Sequence, residues 1–172
     1  MATLHLISGL PCSGKTTYAT SLRADLDAAL FSLDRWLITA FGRYEIASVG
    51  HEEHTRRVLA CRELIWSSAS ELLQRSVDVI LDDGFFLRHH RARHVSLAAA
   101  VGAKARIHYI NTPASIIQKR LDVRNATLPP FNFYIDLATL VGFGSLFEIP
   151  TSEEGADVVV VTDAGNRRIS IQ

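Results

Sequence analysis

A chain of 172 residues with 18 basic and 18 acidic side chains carries no net formal charge, so its totals do not signal a dominant nucleic-acid or anionic-membrane surface. At this length one domain of 1–172 with a single core is the simplest organisation, and a second catalytic domain has no room. Two cysteines are too few for a disulfide scaffold, and the N-terminus runs directly into apolar sequence without a charged leader. A cytosolic compartment is therefore expected. No apolar stretch approaches the roughly 20 residues that span a bilayer, so no membrane association is expected.

In chain order, Leu4 to Ile7 reads as a strand and Thr17 to Leu26 as a helix with apolar residues at helical spacing. Between them, Gly9-Leu10-Pro11-Cys12-Ser13-Gly14-Lys15-Thr16 fits GxxxxGK[ST], a phosphate-binding loop in its required strand, loop, helix setting. The chemistry explains the residue types. Glycines let backbone N–H groups converge on an anion, and the helix N-terminus adds partial positive charge. Gly9, Pro11, Cys12, Ser13, Gly14, Lys15, Thr16 and Thr17 are the expected nucleotide-binding residues. Lys15 would neutralise β- and γ-phosphate oxygens, and the Thr16 hydroxyl would hold Mg²⁺. Cys12, at a helix N-terminus, is a candidate reactive thiol or an inert loop residue.

A second strand, Ala28 to Leu33, delivers Asp34 at its carboxyl end. There it can accept a proton from a hydroxyl acceptor or cap the following helix. From His51 to Arg75 a long helix buries Val58, Cys61, Ile65 and Leu72 and turns Arg56, Arg62, Glu63 and Glu71 to solvent. The third strand, Val77 to Leu81, ends in Asp82-Asp83-Gly84. Asp82 and Asp83 are the candidate metal carboxylates. Asp82 is favoured because its neighbour should point to the opposite side of an extended chain, where Asp83 could meet the acceptor or cap the next helix.

A helix follows from about Arg88 to Val101, and its start, Arg88 to His94, is the strongest basic cluster. Arg88 and Arg91 can share a face that grips phosphate, or simply be solvated. His90 and His94 have metal-ligand spacing but lack the glutamate of HExxH and a nearby cysteine. Next come a strand from Ala105 to Ile110 and a helix opening at Thr112-Pro113, where threonine suits the cap. On that helix Arg120 and Arg124 lie four apart and share a face from which they can reach a nucleotide and stabilise transition-state charge. The stretch from Asn125 to Pro150, rich in proline, glycine and phenylalanine, reads as a lid, with packing of its aromatics on the core as the alternative. The last strand, Asp157 to Val161, is the β-branched run of a covered parallel sheet.

With the loop, Asp34, the Asp82-Asp83-Gly84 strand end and Arg120/Arg124 in place, the chain resembles the small P-loop kinases labelled AAA-type ATP-binding proteins, relatives of chloramphenicol phosphotransferase, zeta toxins and polynucleotide kinase. Ser32 to Arg35 matches the acceptor segment, Arg120 to Asn125 the start of the lid, and Phe147 to Pro150 the segment that closes it. The resemblance implies an α/β three-layer P-loop fold, a five-stranded parallel sheet of order 2-3-1-4-5 flanked by helices, with ATP, Mg²⁺ and γ-phosphoryl transfer to a hydroxyl. It does not fix the acceptor. A small hydroxyl-bearing molecule leads, nucleic-acid 5′-ends follow, and a nucleotide switch with slow ATPase activity is the reading from another class. No sensor or interface arginine of the motor ATPases can be placed.

Overall fold

A computed structural model of the chain describes residues 1–162 and 168–171. Residues 163–167 and 172, which complete the expected 1–172 domain, lie outside the described residues. Five strands form the parallel sheet: β1 (Thr3–Ser8), β2 (Ala29–Ser32), β3 (Val79–Gly84), β4 (Lys104–Asn111) and β5 (Asp157–Thr162), in the order β2-β3-β1-β4-β5 that the resemblance implies. One addition was not foreseen. A short strand β6 (Arg168–Ile171) pairs antiparallel with β5, from Val158 opposite Ile171 to Val161 opposite Arg168.

The helices are α1 (Lys15–Leu26), α2 (Leu33–Phe41), α3 (Ile46–Val49), α4 (His51–Gln74), α5 (Arg88–Ala100), α6 (Ala114–Thr127) and α7 (Leu137–Leu146). The larger core gathers Leu4 and Leu6 of β1, Leu37 of α2 and Val79 of β3 with Cys61, Ile65, Ala69 and Leu73, which recur at helical spacing along α4. On the other sheet face Ile7 and Ile80 meet Ala19 and Leu22 of α1. Both faces of the sheet are thus covered, which is why β3 and β5 carry unbroken apolar runs.

Within the core, His5 Nδ1 and His108 Nε2 are 2.9 Å apart, and the Tyr18 hydroxyl lies 2.8 Å from His108 Nδ1. Burial holds the His5 imidazole below its usual pKa, so it is carried neutral and hydrogen-bonded at neutral pH.

The basic cluster at the start of α5 has a different role from the one its composition suggests. Arg91 is fully buried and forks onto Glu154, with Nε donating to Oε2 and Nη2 to Oε1, both at 2.6 Å, while Nη1 donates to the Phe85 carbonyl at 2.9 Å. It is therefore not a phosphate grip. It ties α5 and the end of β3 to the 3₁₀ turn Ser152–Glu154 that leads into β5. Truncating one partner strands the other charge, a loss of about 3–5 kcal/mol. Arg91→Ala should lower the thermal midpoint by on the order of 10 °C, whereas Arg91→Met with Glu154→Leu should recover most of it. A calorimetric scan checks both, and an unchanged midpoint in the single variant would contradict the assignment.

Candidate active site

The carboxyl ends of β1, β2 and β3 open into one cleft of about 1220 Å³. At its centre is the glycine loop. Gly14, at φ 102°, caps α1, and Cys12 takes φ 61°, a left-handed conformation uncommon outside glycine. The Ser13 amide donates to the Leu10 carbonyl at 3.2 Å, and the Gly9 amide to Gly84 at 3.0 Å, anchoring the loop to the end of β3.

Gly9 has no room for a side chain: a Cβ there would lie 2.9 Å from Ser13 Oγ and 3.1 Å from the Ile110 carbonyl. Ser13 Oγ is itself buried without a hydrogen-bond partner. Gly9→Ala should displace the loop and weaken nucleotide binding by tenfold or more, about 1.4 kcal/mol, while the sheet stays folded. Calorimetric titration checks this, and unaltered affinity would show that the loop tolerates the shift.

Lys15 Nζ donates to the Leu10 carbonyl at 2.8 Å. Burial pushes its ammonium pKa down, opposed by the charges of Asp82 and Asp34. Thr16 Oγ1 donates to Asp82 Oδ2 at 2.7 Å. Burial raises the Asp82 carboxyl pKa, with Lys15 and the Thr16 hydroxyl pulling the other way. A hydroxyl and a carboxylate held together are hard oxygen donors, the set Mg²⁺ takes beside phosphate. Together with the side-chain-free cradle at Gly9, the residues fit a phosphate-bound divalent ion.

Asp83 breaks the alternation expected of a strand. Register slips between Ile7, opposite Asp82, and Ser8, opposite Gly84, so Asp83 is an extra residue in β3. A bulge re-aims side chains, and both carboxylates line the cleft. Asp83 accepts two hydrogen bonds from Arg62 of α4, at 2.6 and 2.7 Å. Arg62 was expected to face solvent. It lines the cleft instead, half-buried and one turn from Val58, which lines the same cleft.

Asp34 sits in the first turn of α2, where Ser32 is the cap residue and no side-chain cap bond forms. Its side chain is open to solvent at the cleft mouth. Protein walls around the carboxyl nevertheless desolvate it and raise its pKa to about 6, against the pull of Lys15. Opposite, α6 lays two arginines on the loop. Arg120 Nη1 donates to the Ser13 carbonyl at 3.1 Å, and Arg124 Nη1 lies 3.6 Å from Cys12 Sγ. Thr112, expected as the cap of α6, donates to the same Ser13 carbonyl at 2.8 Å, and Pro113 takes the cap position. Thr112 thus braces the loop, a role that its capping signal concealed.

Residues 128–136 and α7 form the roof. Arg124 Nη2 donates to the Phe133 carbonyl, Asn125 to Ile135 at 2.7 Å and Arg43 to Pro129 at 2.9 Å. Phe133 is buried edge-on against Tyr44 at 5.1 Å, and Phe143 stacks on Phe86 at 4.9 Å. Tyr134 stays 60% exposed. Phe133 thus packs with the core, the alternative expected for these aromatics, and Phe143 lines the cleft. Elsewhere, His94 packs edge-on against Phe85 at 4.9 Å, and among the described residues no three or more His, Cys, Asp and Glu side chains gather as a metal site of their own.

A glycine loop closing on lysine and threonine, with an aspartate at the end of the neighbouring strand, defines a P-loop domain. Residues 4–139 match a family described as an AAA domain, and the chain belongs to it. Three solved structures share the fold. A proposed kinase from Chloroflexus aurantiacus superposes with a TM-score of 0.75 at 20% identity, over 94% of this chain and 88% of that one. Chaetomium thermophilum Kti12, in complex with ADP-AlF3, gives 0.70 at 17% identity over 95% and 91%. The Mycobacterium tuberculosis APS kinase CysC, in complex with AMPPNP and APS, gives 0.58 at 19% identity over 95% and 89%. No curated protein matches the sequence. No helix among the described residues is long and apolar enough to cross a membrane.

Proposed function

We propose that the protein is a phosphotransferase that moves the γ-phosphoryl group of ATP to a hydroxyl of a small molecule. The observation that carries this reading is the place of Asp34: a desolvated carboxylate shares one cleft with Lys15, Thr16 and Asp82, on the side of the loop away from β4. A switch that only senses nucleotide has no use for such a group. The structures of Kti12 with ADP-AlF3 and of CysC with AMPPNP and APS support nucleotide as the ligand of the loop.

In this reading the loop amides and Lys15 bind the triphosphate, and Lys15 exchanges the Leu10 carbonyl for phosphate oxygen. Thr16 and Asp82 would hold Mg²⁺, which supplies charge neutralisation across the β- and γ-phosphates. Arg120 and Arg124 lie where they can stabilise charge on the transferring group. Asp34 accepts the proton of the acceptor hydroxyl as its oxygen bonds to phosphorus and the bond to the β–γ bridging oxygen breaks, releasing ADP. The roof over the cleft acts as the lid that excludes water, which would otherwise compete as acceptor.

Incubation with Mg²⁺, γ-labelled ATP and pooled hydroxyl compounds tests the proposal. Label should appear in an organic acceptor; label recovered only as inorganic phosphate would favour the nucleotide switch. Of the two arginines whose shared face could grip a nucleic-acid backbone, Arg91 is buried in an ion pair with Glu154 and Arg88 is engaged by Glu153, so a small acceptor is preferred to a polynucleotide.

A further inference from the structure

The topology divides the cleft. Beyond the loop on the β4 and α6 side lie Ile110, Thr112 and Val161; on the β2 side lie α2, α3 and α4, and this half is left for the acceptor if the loop holds a triphosphate. Its floor and walls are apolar, with Leu37, Ile46, Val58 and Phe133. Its charges are one-sided. Asp34, Glu45 and Asp83 contribute carboxylates, and the cation from this half is Arg62, already bound through two hydrogen bonds to Asp83. Arg57 is engaged by Glu53 and packed over Tyr44, and Arg43 is engaged by the roof carbonyls. Burial lowers the His54 pKa, so its imidazole, 3.0 Å from the Tyr44 hydroxyl, is carried neutral. Lys15 and Arg120 face this half from the loop, where a triphosphate would meet them, and Arg124 reaches it with one guanidinium nitrogen held by the Phe133 carbonyl of the roof.

From this we infer that the acceptor is an uncharged or cationic hydroxyl compound with an apolar body, and that the Asp83–Arg62 pair excludes phosphorylated and carboxylated acceptors. The inference rests on the phosphotransfer reading for the word acceptor, but the charge preference belongs to the cleft itself. An anion entering this half would meet the carboxylates of Asp34 and Glu45 and an arginine whose charge is already matched by the forked pair with Asp83. A compound bearing an ammonium group would meet the same carboxylates favourably.

Three probes of one shape separate the cases: 2-amino-1-phenylethanol, 1-phenylethane-1,2-diol and mandelate share a ring and a benzylic hydroxyl and differ in charge. Each is titrated into the full chain while NMR follows the His54 and Tyr44 rings, which report this half and not the loop. We expect the amino alcohol and the diol to shift both rings, with mandelate weaker by on the order of tenfold, and the amino alcohol to weaken as salt is added. Asp83→Asn should release Arg62 and narrow or reverse the gap, and Arg62→Gln should widen it. Mandelate binding as tightly as the amino alcohol, or no probe reaching His54 and Tyr44, overturns the inference. The phosphotransfer reading fails separately, by label found only in inorganic phosphate while this ranking holds.

Discussion

Lys15→Ala should reduce ATP-dependent turnover by about 100- to 1000-fold, the loss that follows removal of one preorganised charge at a developing anion. Lys15 belongs to the first turn of α1, bonds the Leu10 carbonyl, and sits outside the packed core, so its truncation leaves the fold in place. Its ammonium is desolvated in the free protein, which depresses its pKa. That arrangement stabilises nucleotide more than it stabilises the chain: the charge is held without full hydration until phosphate arrives. Titration with ATP and a turnover assay check the expectation beside a thermal scan. Full turnover in a folded variant would remove the loop from the chemistry.

Asp34→Asn should leave ATP affinity within a few-fold of wild type and lower transfer by roughly 10²- to 10⁴-fold, the range of a lost general base. The pH dependence has a defined sign. A base works ionised, and Asp34 has its pKa raised to about 6, so transfer by the wild type should rise with pH and reach half its plateau near there. A bound triphosphate adds negative charge nearby and moves the midpoint upward. Residual transfer in the asparagine variant should lack this limb. Stability moves the other way. A carboxyl whose folded pKa lies above its unfolded value of 3.8 is least costly below that pH and opposes folding increasingly as the pH rises through 6. Asp34→Asn should therefore raise the thermal midpoint at pH 7 and not at pH 3.5. A variant that loses both activity and stability at pH 7 would mark Asp34 as structural.

Local spacing carried most of the fold. The loop, α1 and the five parallel strands follow from glycine positions and apolar runs that neighbouring residues specify. What the sequence hid depends on partners far along the chain. Arg91 looks like one of several solvated arginines because Glu154 is 63 residues away. Arg62 lies on the flank of α4 beside Val58 and Trp66, half-buried at the cleft, and periodicity cannot tell solvent from a cleft. Asp83 was read by strict alternation, which a single extra residue in β3 undoes. Thr112 before proline carries every sign of a cap, yet its hydroxyl is drawn to the Ser13 carbonyl in a loop about a hundred residues earlier. The raised pKa of Asp34 likewise reflects desolvation by the cleft walls and the opposed charges of Lys15, Asp82 and Arg124, which come from distant parts of the chain, and no local pattern encodes that.

In the proposed reaction this cleft passes phosphate to an organic hydroxyl with Asp34 as the base. Single-turnover transfer from γ-labelled ATP, with wild type and Asp34→Asn compared at equal bound nucleotide and a common acceptor pool, tests it most directly. Label should appear on an organic acceptor with the wild type, and almost none with the variant. Release of label only as inorganic phosphate, at the same rate from both proteins, would contradict it and leave a nucleotide switch.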